Sequence, residues 1–188
     1  MANATLLITG AAGFTGRHLI AAASRKGYRC IALAQQKGKE VSGAHDTLVA
    51  DLLDPAALEQ AIAQVKPDFI VHLAAISFVA HGNPAEIYQA NQLGTINLLD
   101  AIRKSVSNIK KILIASSANI YGNTTDLPIT EATPLAPVNH YGMSKVTMEM
   151  ATRLYADLPI VMSRPFNYTG CGQSPNFLIP KIVNAFRA

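Results

Sequence analysis

Thr9-Gly10-Ala11-Ala12-Gly13-Phe14-Thr15-Gly16 is the stretch on which the fold of this chain turns. The apolar run Leu6-Leu7-Ile8 leads into it, and a helical pattern from Gly13 to Lys26 leaves it, with Gly27 as the stop. Gly10 permits a tight turn, Gly13 lets the backbone approach a pyrophosphate, and Gly16 lets the helix start pack closely on the sheet. The helix N-terminus adds free N–H groups and a partial positive charge, which suit an anion.

The same strand-and-helix alternation runs outward from this unit. Tyr28 to Leu33 and Leu48 to Ala50 read as strands. Asp54-Pro55 then caps a helix from Ala56 to Val65. Phe69 to Leu73 is a strand. Pro84 to Lys104 is a long helix, with Ile87, Ala90, Leu93 and Leu98 on its repeat. Ile112 to Ala115 is a strand, Tyr141 to Tyr155 a helix, and Ile160 to Met162 the next strand. Strands that are apolar throughout have helices on both faces. The expected architecture is therefore α/β, a doubly wound parallel sheet with right-handed crossovers. The irregular stretch from Tyr121 to Asn139 is long enough to suggest a functional loop.

Composition narrows the function classes. Hydrophobic residues make up 49% of the 188, enough for a sizeable core and unlike a disordered chain. The net charge of +4 comes from scattered residues, so the stripe that nucleic acid would need is missing. Cys30 lies in an apolar strand and Cys171 in a Gly-rich loop, without metal-ligand spacing or a disulfide framework. No bound metal is expected, and a reducing cytoplasm is the expected setting. The sequence shows neither a signal peptide nor an apolar run long enough to span a bilayer.

Two further motifs carry chemistry. In Tyr141-Gly142-Met143-Ser144-Lys145 the tyrosine and lysine are four apart and share a helix face. A nearby ammonium favours a phenolate, so the phenol pKa should fall from about 10 and Tyr141 can serve as general acid or base. Ser116-Ser117-Ala118-Asn119-Ile120-Tyr121-Gly122 follows a strand end and carries two adjacent hydroxyls.

Taken together and in this order, the motifs resemble those of the extended short-chain dehydrogenases/reductases, over essentially the whole chain. The glycine run resembles that family's TGxxGFxG signature. The resemblance implies a Rossmann-type fold: a dinucleotide-binding domain over 1–165 and the beginning of a smaller substrate lobe over 166–188. It implies Ser117, Tyr141 and Lys145 as the catalytic residues. Gly10, Gly13, Phe14, Thr15, Gly16, Asp51, Leu52, Leu73, Ala74, Ala75 and Ser116 would line the cofactor, together with Tyr141, Lys145, Pro165 and Phe166. His72 and the Asn91 and Gly94-Thr95 segment would be mainly structural.

Arg164-Pro165-Phe166-Asn167-Tyr168-Thr169-Gly170-Cys171-Gly172-Gln173 is similar to a segment of the nucleotide-sugar-modifying members, especially GDP-6-deoxy-D-mannose reductases, with Cys171 where proline is usual. In that resemblance Asn167 and Ser117 contact the sugar. Dehydratases of the superfamily place an acid two residues after the catalytic hydroxyl, where this chain has Asn119. Reduction of a nucleoside-diphosphate 4-keto-6-deoxy sugar is therefore expected, with C4 epimerisation as the alternative and pure dinucleotide binding as a third reading. The end of the second strand, Ala34-Gln35-Gln36-Lys37, carries no acid, which favours NADP over NAD, with Lys37 and Arg17 as partners for a 2′-phosphate. The resemblance further implies a homodimer through the long helices around 84–104 and 141–155. The sugar pocket of these residues alone is expected to be incomplete.

Overall fold

A computed structural model describes residues 4–36, 41–79 and 81–186. Six parallel strands form one sheet in the order β3-β2-β1-β4-β5-β6. They are β1 (Thr5–Thr9), β2 (Arg29–Ala34), β3 (Asp46–Val49), β4 (Phe69–His72), β5 (Lys111–Ala115) and β6 (Ile160–Ser163). The expected Rossmann-type architecture is what the chain adopts. The central strand β1 pairs with β2 on one side and β4 on the other, so the connections reverse direction there. Thr9 is in register with both Leu33 and His72, which places the end of β1 at the crevice where such sheets bind ligands.

Successive strand residues face opposite sides of the sheet, and each side has its own core. Leu7 joins Leu58, Ile62, Leu98, Ile102 and Met148 on one side. These come from α2 (Pro55–Val65), α4 (Gly94–Ser105) and α5 (His140–Thr152). Leu6 and Ile8 join Ile20, Ala23, Cys30 and Ala32 on the other, under α1 (Phe14–Arg25). Each fully buried large aliphatic side chain contributes about 1.5–3 kcal/mol. Cys30 is a buried free thiol and Cys171 an exposed one.

Local signals set the helix ends. Asp54 accepts a bond from Ala57 N at 3.0 Å with Pro55 in the first turn, and left-handed Lys66 (φ 46°) closes α2. The expected helix from 84 to 104 is not uniform. It runs as α3 (Pro84–Tyr88), a widened π turn over Gln89–Leu93, and α4. The expected helix from 141 to 155 is α5 followed by a 3₁₀ turn, Arg153–Tyr155. Between 122 and 139 there is no helix or strand. Beyond β6, α6 (Leu178–Ala185) buries none of its residues.

Candidate active site

The glycine loop lies at the crevice, and each glycine has a separate reason to be there. Gly10 has φ +66°, and a Cβ on it would lie 2.6 Å from Ala74 N, so the loop can touch the segment after β4 only without a side chain. A Cβ on Gly16 would collide with Gly10 O and with Ala11. A Cβ on Gly13 would meet only Gly10 O, at 3.1 Å, and its other sides are open. The N-termini of α2, α3 and α5 are capped by the side chains of Asp54, Asn83 and Asn139. That of α1 has Gly13 as its cap, no side-chain bond and no acid in its first turn. Its first N–H groups have no intrahelical acceptor and suit an anion. The residues fit a dinucleotide pyrophosphate.

Asp51, expected to line the cofactor, is already engaged on both oxygens. Oδ1 accepts from Leu53 N and Oδ2 from Gln35 Nε2, each at 2.9 Å. Leu52 instead presses on α4, where a Cβ on Gly94 would lie 3.0 Å from its own Cβ. Lys37 lies outside the described residues. Arg17 donates from Nη2 to Gly172 O at 2.9 Å and is thus turned to the loop after Asn167.

A buried relay ties β1 to the helices. Ala74 N donates to Thr9 Oγ1 at 3.1 Å, and Thr95 Oγ1 donates to Asn91 O at 2.7 Å. These ends fix the sense between them. Thr9 Oγ1 donates to His72 Nδ1 at 2.6 Å, and His72 Nε2–H donates to Thr95 Oγ1 at 2.9 Å. His72 is therefore the neutral Nε2–H tautomer, and its pKa is pushed down to about 3, first by burial and then by the charge of Lys145. Asn91, fully buried in the π turn, extends the relay. It donates to Ile76 O and Ser144 Oγ and accepts from Ile76 N, while Ser144 Oγ donates to Tyr141 O. The helix bearing Tyr141 is thereby registered against the strand bearing the glycine loop.

The structure brings Ser117, Tyr141 and Lys145 together. Lys145 is 3% exposed, donates to Ala115 O at 2.8 Å, and has Nζ 6.0 Å from the Tyr141 ring centre. Burial pulls its pKa down to about 8, against an opposing pull from Glu149. The Tyr141 phenol departs from the expectation of a lowered pKa. Burial pushes it up, the Ser117 hydroxyl draws it back, and Tyr168 adds to the rise. Ser117 Oγ accepts from Asn119 N at 3.2 Å and from Asn119 Nδ2 at 3.1 Å. Ser116 Oγ is buried and has no hydrogen-bond partner among the described residues.

The RPFN segment continues the β5–β6 pairing past the strand ends. Ser116 N donates to Ser163 O and Ala118 N to Pro165 O, at 2.8 and 2.9 Å. Phe166 and Asn167 are exposed beside this seam. Arg164 forms a two-pronged ion pair with Glu149, at 3.1 and 2.7 Å, and donates to Tyr121 OH at 2.8 Å. The loop beyond is seated on the start of α1. Tyr168 OH meets Thr15 Oγ1 at 2.6 Å, its ring stacks on Phe14 with centres 6.0 Å apart, and His18 Nε2 donates to Cys171 O at 3.0 Å.

Residues 7–188 match the family described as GDP-mannose 4,6 dehydratase. The chain belongs to this family of extended short-chain dehydrogenases/reductases. It is 40% identical over 184 residues to GDP-6-deoxy-D-talose 4-dehydrogenase of Aggregatibacter actinomycetemcomitans, covering 96% of this chain and 58% of that protein. It is 32% identical to UDP-glucose 4-epimerase of Bacillus subtilis (strain 168), covering 91% and 56%. A solved structure from Burkholderia cenocepacia J2315 superposes with TM-score 0.88 at 40% identity, covering 97% of this chain and 60% of that one. WbmG of Bordetella bronchiseptica, solved in complex with NAD, superposes with TM-score 0.80 at 29% identity, covering 99% and 60%. The chain thus spans about three-fifths of the length of the relatives it matches.

Within this extended short-chain dehydrogenase/reductase frame, sequence reasoning missed the connections more than the residues. It assigned Asn119 no part beyond not being an acid, and it left Tyr168 and Glu149 aside. Glu149 lies four residues after Lys145 on the same helix, a spacing that could have flagged it. Nothing in the sequence pairs Tyr168 with Thr15. Among the described residues no group of His, Cys, Asp and Glu could hold a metal ion. No helix among them is long and apolar enough to cross a membrane.

Proposed function

We propose that this chain provides the dinucleotide-binding and catalytic part of an NAD(P)H-dependent oxidoreductase that reduces the C4 ketone of a nucleoside-diphosphate 4-keto-6-deoxy sugar. The observation that carries the reading is the convergence of Ser117, Tyr141 and Lys145, with an amide, Asn119, where dehydration would need an acid. The likeness to a GDP-6-deoxy-D-talose 4-dehydrogenase supports C4 chemistry on a GDP-linked 6-deoxy sugar.

A bound reduced nicotinamide supplies the hydride. Gly10, Gly13, Gly16 and the first-turn amides of Phe14 and Thr15 hold the pyrophosphate. Asp51 and Leu52 border the adenosine, and Leu73, Ala74 and Ala75 form the wall beside the glycine loop. Ser116 lies on the cofactor side of the site, and Pro165 and Phe166 flank the nicotinamide. Ser117 and Tyr141 donate hydrogen bonds to the sugar C4 oxygen. Burial keeps Tyr141 protonated at neutral pH, as a general acid must be, and it delivers its proton as charge forms on that oxygen. Lys145 provides the local positive charge and a bond to the ribose. Asn167, exposed at the crevice, contacts the sugar, and residues from 166 onward open the substrate lobe.

Neutral Gln35 does not repel a 2′-phosphate, so NADP is admitted. With Arg17 turned to Gly172, the attraction expected of it is weaker than the sequence suggested, and NAD is admitted as well. Exposed Met143, Met150 and Leu154 recur on one face of α5 and its following turn, beside exposed Leu93 of the π turn. That face suits a homodimer, which sedimentation velocity tests.

The deciding experiment incubates the protein with NADPH or NADH and GDP-4-keto-6-deoxy-mannose. Reduction adds two hydrogens to the sugar and consumes the cofactor stoichiometrically. An unchanged sugar mass with an inverted C4 centre would replace this reading with C4 epimerisation, which the 4-epimerase relatives favour. Dinucleotide binding without turnover of any nucleotide sugar would leave a binding role.

A further inference from the structure

A serine hydroxyl has one proton to give and two lone pairs to receive with. At Ser117 Oγ both receiving positions are taken by one residue. Asn119 donates its backbone N–H at 3.2 Å and its side-chain Nδ2 at 3.1 Å. The backbone N–H can only donate, and an amide NH₂ likewise has only protons to offer. The Ser117 proton must therefore point away from Asn119, and the bond that Ser117 offers the Tyr141 phenol is the one that draws that phenol's pKa down. Ser117 itself is largely buried, at 6% exposed.

We infer that Asn119 is a positioning residue that makes Ser117 a one-way hydrogen-bond donor toward Tyr141 and the oxygen being reduced. A hydroxyl that already accepts two bonds is polarised and donates more strongly. A donor aimed at Tyr141 favours its phenolate, and the same donor favours negative charge forming on a sugar oxygen. The side chain at 119 therefore sets the direction of Ser117. An amide turns the serine proton into the site, whereas a carboxylate would accept that proton and turn it away. This inference rests on the reading of Ser117 and Tyr141 as the reacting pair. It goes further in giving Asn119 a task that requires an amide and is more than the mere lack of an acid.

The test reads Tyr141 directly and needs no sugar. The protein carries ¹³Cζ-labelled tyrosine and is saturated with NAD⁺, whose positive ring lowers the phenol titration into a workable range. Tyr141→Phe identifies the signal, and an unchanged far-ultraviolet circular dichroism spectrum certifies the fold of each variant. Asn119→Leu removes the side-chain donor and should raise the Tyr141 midpoint by about half to one unit, the worth of one modest hydrogen bond. Asn119→Ala should shift it the same way. Asn119→Asp should raise it further, since the carboxylate takes the serine proton and adds like charge. In a Ser117→Ala background Asn119→Leu should leave the midpoint in place, because the effect passes through Ser117.

An unchanged midpoint in Asn119→Leu would overturn the inference. So would a lowered one, which would mean that the amide oxygen had been holding the serine proton. A shift that persists without Ser117 would overturn it as well. Failure of the wild type to turn over any nucleotide sugar would sink the proposed activity and leave this titration intact.

Discussion

His72 gives the sharpest handle on how the cofactor strand is fastened to the catalytic helix. Its two ring nitrogens are both committed, one receiving from Thr9 and one donating to Thr95, so a second ring proton would displace the Thr9 hydroxyl proton from its acceptor. The folded protein holds His72 neutral down to about pH 3, while the unfolded chain protonates it near 6.5. Between those values the unfolded state binds more protons, so stability is full above 6.5 and is lost as the pH falls toward 3. The limiting slope is about 1.4 kcal/mol per pH unit, which integrates to about 1.7 kcal/mol between pH 6.5 and 5. For a domain of this size that is a fall of about 3–7 °C in Tm. Other groups titrate in the same range, so the comparison is with His72→Gln, which keeps a donor and an acceptor but cannot ionise. Melting curves followed by circular dichroism at pH 7, 6 and 5 should show the wild type losing those extra degrees relative to the variant. Parallel Tm-against-pH curves for the two proteins would refute the assignment of a neutral, doubly bonded His72.

Tyr141→Phe removes only a phenol oxygen, so turnover of the keto sugar should fall by about 10²–10⁴-fold while dinucleotide affinity, measured by calorimetry, persists. Lys145 should lose its charge as the pH passes about 8, so turnover should decline on that limb of the pH profile. Stability should move the other way there, since the unfolded chain keeps the lysine proton to about 10.5 and the folded state gains as the pH rises from 8 toward that value. Gly16→Ala would set a methyl group against Gly10 O and Ala11, and should cost about 1–3 kcal/mol in urea unfolding and weaken dinucleotide binding. Arg164→Met strands the buried carboxylate of Glu149, and denaturant titration should register a loss of about 3 kcal/mol.

Apolar strands and glycine punctuation made the architecture legible. Leu6-Leu7-Ile8 and Ile112-Leu113-Ile114 could only be strands covered on both faces, and the glycine loop between β1 and α1 located the crevice. Boundaries moved by a residue or two, as where β3 begins at Asp46, because edge pairing is decided by the neighbouring strand. The π turn over Gln89–Leu93 was not legible. It is held by Asn91 reaching Ile76 and Ser144, residues 15 and 53 positions away, and local propensity carries no trace of that. The same holds for Arg17, whose side chain met a carbonyl 155 positions on instead of a place near the end of β2. The proposed catalytic residues were visible as types at a spacing. Their protonation was not, because the burial that raises Tyr141 is a property of the packed site.

The seating of the 168–172 loop on the first turns of α1 carries a thermodynamic consequence. Thr15 and Phe14 hold Tyr168, and they stand in the first turn of α1 to which the proposed function assigns the pyrophosphate. Occupancy of the glycine loop and closure of the segment bearing Asn167 therefore share one short stretch of backbone, and their free energies are linked. Such linkage is reciprocal for binding. Under the proposed function, whatever factor the dinucleotide contributes to the affinity for the sugar by firming that turn, the sugar returns to the affinity for the dinucleotide.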